Sequence, residues 1–197
     1  MIINIFLYFK SFIQEGKAFK IFTIYLLLIC LVQLATMFVG KILHKPNLFL
    51  SHFYFVIQFV FLSFFYKELL KNKLILLVLI PVFGFLMYQY IDDSSLFYRY
   101  NAIGISITQG VVIIYSIVYL YKCLQGQSSF LIVNVGLLLY LVSSTLIFAS
   151  GNLIFNLNIS ESMNYLLINT NRILYFLFQI LIFIEWRKNY YKKIHRS

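Results

Sequence analysis

Six windows, residues 21–39, 48–66, 74–91, 102–121, 130–153 and 165–186, are each long and apolar enough to cross a bilayer. A hydrocarbon core of about 30 Å needs roughly 20 helical residues. Inside it the backbone must satisfy its own N–H and C=O groups, so such windows read as helices. The connections are short and polar: KILHKPN, KELLKNK, DDSSLFYRY, KCLQGQSS and NLNISESMN. The chain therefore reads as an all-α integral membrane protein, a bundle of about six transmembrane helices forming a single domain over residues 1–197.

Composition excludes the soluble alternative. With 62% hydrophobic and 11% charged residues, a chain of 197 residues has too little polar surface to face water. The net charge of +10 does not point to nucleic acid, because Lys and Arg stand at the ends of apolar windows and not along one soluble face. No nucleic-acid partner is expected. Cys30 and Cys123, far apart in sequence, read as small apolar packing residues.

The basic residues set the expected orientation. With the tail WRKNYYKKIHRS inside, the inner set is Lys10, Lys17, Lys20, Lys67, Lys71, Lys73, Lys122, Arg187, Lys188, Lys192, Lys193 and Arg196. Lys41, Lys45, Arg99 and Arg172 fall outside. An even number of spans places both termini in the cytoplasm, with residues 187–197 as a basic cytoplasmic tail. Residues 1–20 lack the basic start and small-residue cleavage site of a signal peptide. They read as a retained interfacial segment, a short helix in the inner interface with Lys10, Lys17 and Lys20 toward the headgroups.

Polar residues inside the spans carry the functional argument. Gln33, Gln58, Gln109 and Gln179 each lie near the middle of a different span and are expected to face the bundle interior as a polar core. They serve either to bind or conduct a solute or to tie helices together. Pro81 removes a backbone donor from the third span and should kink it. Gly136, Ser143, Ser144, Ser150 and Gly151 permit close packing of the fifth span.

The last span is the most informative. Its uninterrupted apolar stretch, residues 173–184, is too short to cross alone, so the helix must include Asn169, Thr170, Asn171 and Arg172. A face at heptad-like spacing reads Asn169, Arg172, Phe176, Gln179, Phe183. An Arg at that depth needs a partner or water. Asp92, Asp93 and Arg99 belong to the same expected side, which suggests an outward-facing ligand-binding pocket lined by Asp92, Asp93, Arg99, Asn169 and Arg172. The alternative is that Arg172 snorkels to the headgroups and the aspartates only cap the third span.

Catalytic patterns are wanting. The histidines are His44, His52 and His195, with no HExxH, and no later span supplies a histidine to activate Ser106 in Gly104-Ile105-Ser106. Asp92-Asp93 does not extend into an aspartate-rich metal motif, since position 96 is Leu. No catalytic residue, metal or cofactor is expected.

The six spans, the DDSSLFYRY loop and the closing NTNRILYFLFQILIFIEWRKN helix together resemble the membrane-sensor parts associated with bacterial histidine kinases, and small bacterial membrane proteins of that kind. The resemblance implies a multi-pass protein of the bacterial inner membrane that senses a ligand and couples it to a kinase partner; it transfers no site residues. The sixth span runs into its basic extension without Gly or Pro, so one helix could pass a shift to a separate cytoplasmic or membrane partner. A small-solute transporter or channel subunit and a structural subunit of a membrane complex are the alternatives. A homo-oligomer is compatible with each.

Overall fold

The computed structural model describes residues 1–126, 129–149 and 161–191, and within these the chain is helical, with no strand. Five helical segments, Lys17–Ile42, Phe49–Leu70, Leu74–Asp92, Ala102–Leu124 and Tyr165–Asn189, are long and apolar enough to span a membrane. Of the six expected windows, 130–153 is described as helix only over Leu131–Ala149. Its last four residues, 150–153, with Ser150 and Gly151, lie outside the described residues, as does the tail from Lys192. Large apolar side chains face outward along these helices, among them Ile80 at 69%, Ile91 at 81% and Leu146 at 65% exposure. Apolar surface on this scale is compatible with a hydrocarbon environment.

The chain forms two compact units, Met1–Thr108 and Gln109–Ser197. In the first, α1 (Ile2–Lys10) packs on the start of α2 (Lys17–Met37), which ends in a π-helical turn, Phe38–Ile42. α3 (Phe49–Leu70) runs antiparallel to α2: Phe22 meets Phe65 at 5.2 Å, and Asn47 Nδ2 donates to the Thr36 carbonyl at the other end. Tyr8, Phe22, Leu62, Phe65 and Tyr66 are completely buried.

The third apolar segment is two helices, α4 (Leu74–Leu77) and α5 (Leu79–Asp92), separated at Val78. The break sits three residues before Pro81. Proline has no N–H for the carbonyl one turn back, so the interruption falls in the turn preceding it, as expected from the sequence. α5 returns along α3, with Phe83 near Phe59 and Tyr90 near His52. A 3₁₀ turn, Ser94–Tyr98, leads into α6 (Ala102–Leu124), within which the division between the units falls.

In the second unit α7 (Leu131–Ala149) lies between the latter part of α6 and α8 (Glu161–Asn189), antiparallel to both. Gly136 lies at a close part of the contact with α8. A Cβ on it would come within 2.7 Å of Leu181 and 3.1 Å of Phe178, so the small residue sets how closely α7 and α8 approach.

Candidate functional site

Two clusters of polar side chains stand out, one in each unit. The first organises the connection between α5 and α6. Asp93 has the extended backbone of an N-cap, and its carboxylate accepts from the Ser95 amide at 3.0 Å and the Ser95 hydroxyl at 2.6 Å. That satisfies donors which the start of a helical turn leaves without an intrahelical acceptor. Arg99 reaches back across the turn to Asp93 and to the Ser95 hydroxyl. The hydrogen bond from Ser95, with the Arg99 charge adding to it, holds the Asp93 carboxyl below the usual carboxylate range despite some desolvation.

Beneath this turn, His52 of α3 is buried and tethers the loop backbone. Its Nε2 lies 3.0 Å from the Arg99 carbonyl oxygen, which can only accept, so Nε2 carries the proton. Nδ1 is then an acceptor, and the Tyr90 hydroxyl donates to it at 2.6 Å. Phe97 stacks on the imidazole at 5.6 Å. Asn101 closes the other end: its Oδ1 accepts from the Gly104 amide at 2.8 Å as an α6 cap, and its Nδ2 donates to Gln89. Gly104 has no room for a side chain, since a Cβ would fall 2.6 Å from Asn101 Nδ2. The glycine beside Ser106 thus serves the helix cap.

The second cluster runs along α6, α7 and α8. Thr145 donates to Gln109 Oε1 at 2.7 Å. Ser116 and Asn134 bond reciprocally: the Ser116 hydroxyl donates to Asn134 Oδ1 at 3.0 Å, and Asn134 Nδ2 to the Ser116 carbonyl at 3.1 Å. The Tyr119 hydroxyl donates to the Ser129 carbonyl. These pairs form a polar seam between antiparallel helices.

The seam ends on Glu185. Its carboxylate, with no exposed surface, accepts from the backbone amides of Phe130 at 3.1 Å, Ile132 at 2.9 Å and Val133 at 3.4 Å, and from the Asn189 amide group. These are amides that the first turn of α7 cannot satisfy itself, and a negative charge there is favoured by the helix dipole. α8 therefore caps α7 from outside. Phe130 sits at φ +59°, a left-handed conformation that costs an L-residue about 1–2 kcal/mol, and Glu185 holds its amide.

The expected pocket residues divide between the units. Asp93 and Arg99 come together, while Asp92 is exposed at the end of α5. In the second unit exposed Arg172 donates to Asn169 Oδ1 at 3.3 Å. Of the four glutamines, Gln58, Gln109 and Gln179 are buried and Gln33 is half-buried. Gln58 donates to the Tyr25 hydroxyl at 3.3 Å.

Along the stripe Asn169, Arg172, Phe176, Gln179, Phe183, Gln179 is buried and Phe176 is 65% exposed, while the row packed against α7 is Phe178, Ile182 and Glu185. The contact with Tyr140, which stacks on Phe178, selects that row. Sequence reasoning passed over Glu185 and His52. The signal for Glu185 was present: an acidic residue at the end of an apolar helix must find donors. For His52 it lay in the pairing of α3 with α5, which no local pattern carries.

No protein-family model matches the chain, and neither a curated protein nor a solved structure does.

Proposed function

We propose that the chain is a membrane-embedded sensory or signalling subunit. In this reading an outward-facing polar site, to which α8 contributes Asn169 and Arg172, is coupled through that helix to a separate cytoplasmic partner. The observation that carries the reading is the Glu185 cap. α8 runs unbroken from Glu161 to Asn189, about 43 Å of helix, with Asn169 and Arg172 in its first half and Glu185 near its end. A rotation or slide of α8 moves that carboxylate relative to the α7 amides it serves. Two arrangements of α8, capped and uncapped, would then differ at the end where Arg187 and Lys188 follow.

Pull-down of the tagged full chain from native membranes in mild detergent, with partners identified by mass spectrometry, tests this. A kinase or other soluble signalling protein is expected, with recovery changed in Glu185→Gln, which keeps the side-chain size and removes the charge. Recovery of the chain alone sinks the reading. Transport is the second reading, favoured by the break before Pro81 and the buried seam. Solute flux into liposomes carrying the purified chain would replace signalling with it.

A further inference from the structure

The amphipathicity of α1 is inverted. Asn4, Tyr8 and Ser11, spaced to share one face, are the residues that pack inward, and Tyr8 stacks on Phe19 at 4.9 Å and meets Phe22 at 5.7 Å. The outward residues are the apolar ones: Ile2 at 68%, Ile3 at 71% and Phe6 at 63% exposure, with Phe9 and Ile13 beside them. Folding onto α2 does not cover this face. Its surroundings are basic. Lys10 and Lys17 are exposed and Lys20 half-buried at the α1–α2 junction. Because α3 is antiparallel to α2, its C-terminal Lys67 and the following Lys71 and Lys73 belong to the same end. The acidic residues of these segments are Glu15 and Glu68, and Glu68 pairs with Lys67 at 3.2 Å. The Lys10 ammonium lies over the Phe6 ring at 5.2 Å and that of Lys20 over Phe12 at 5.9 Å, which places charge at the border of the apolar face.

We infer that α1 and this lysine end form a binding foot selective for anionic phospholipid, with the acyl chains against Ile2, Ile3, Phe6 and Phe9 and the headgroup phosphate against Lys10, Lys17 and Lys20. An apolar face bordered by ammonium groups matches both halves of such a lipid. A soluble anion would use only the lysines, and a neutral lipid only the face. The foot lies wholly within the first unit and does not depend on the signalling reading.

Native mass spectrometry of the full chain in mild detergent, titrated with phosphatidylglycerol or phosphatidylcholine, tests the assignment. Wild type is expected to prefer phosphatidylglycerol, and the triple substitution Lys10→Gln, Lys17→Gln, Lys20→Gln to lower that affinity about tenfold or more. Two controls each remove two charges elsewhere: Lys41→Gln with Lys45→Gln, and Arg187→Gln with Lys188→Gln. Both should keep the preference. Equal binding of the two lipids by wild type overturns the inference, as does equal loss in either control or retention in the foot variant. Inorganic phosphate at millimolar concentration should leave the lipid bound; displacement would mean that the apolar face takes no part.

Discussion

The two units hold their helices together by different means. In the first, the α2–α3 contact is largely aromatic: Phe22 against Phe65, with Tyr8 and Phe19 stacked beside them and Phe59 meeting Phe83 of α5. Its densest polar cluster sits at the α5–α6 connection. In the second, polar bonds recur along the helices, from Gln109–Thr145 through Ser116–Asn134 to the Glu185 cap. Lipid tails are as apolar as phenylalanine, so rings in hydrocarbon gain from fit more than from leaving their solvent. Hydrogen bonds are a different case, because lipid tails offer no substitute partner. The first unit is thus a packing solution and the second a pairing solution.

The largest effect is expected from Phe65→Ala, which leaves a cavity where a ring is wholly buried. A loss of about 3 kcal/mol follows from comparable core truncations. Cys30, buried in α2, reports on the first unit through its rate of maleimide labelling in a Cys123→Ser background. Labelling should accelerate while the fluorescence of Trp186, the single tryptophan and buried in α8, stays unchanged. An equal change in Trp186 would break the division into two modes of packing.

A smaller effect sharpens the other side. A double-mutant cycle of Ser116→Ala and Asn134→Leu, read by Trp186 fluorescence during unfolding in mixed micelles, should give a coupling of about 1 kcal/mol. A coupling near zero would mean that the seam contributes no pairing energy and that the second unit also rests on fit.

The smallest effect concerns the α5–α6 turn. The Asp93 carboxyl titrates below its ordinary value of 3.8, held there first by the Ser95 hydroxyl. A depressed folded-state value stabilises the turn above the unfolded pKa, and this contribution is lost as pH falls through the folded one. The turn should therefore loosen only below about pH 4. Carboxyl-carbon NMR of Asp93 should show the lowered titration, and Asp93→Asn should abolish the pH dependence of the Ser95 amide shift. Titration at or above the ordinary value would remove the electrostatic part of the clip.

Much of this architecture was legible because a helix compatible with a hydrocarbon core has a restricted length and polarity. The apolar windows located the helices and Pro81 the break at Val78; of the four glutamines expected inside because an amide seeks a partner, Gln58, Gln109 and Gln179 are buried and Gln33 is half-buried. The site was less legible. Asp93 and Arg99 were found as residues, but their mutual clip through Ser95 depends on a 3₁₀ turn and not on composition. Which row of α8 meets α7 was not legible, because spacing alone does not say which face finds a neighbour.

The sequence by itself determined that apolar helices would form and roughly where each would lie, since hydration and hydrogen-bond cost act on each segment locally; the ends moved by several residues, as from 165–186 to Glu161–Asn189. Only the tertiary structure decided that Glu185 would cap a helix beginning 54 residues earlier, at Leu131, and that His52 would hold the Arg99 carbonyl. Those bonds exist because antiparallel packing brings distant segments to the same level, and the partner of a buried polar group is set by that level.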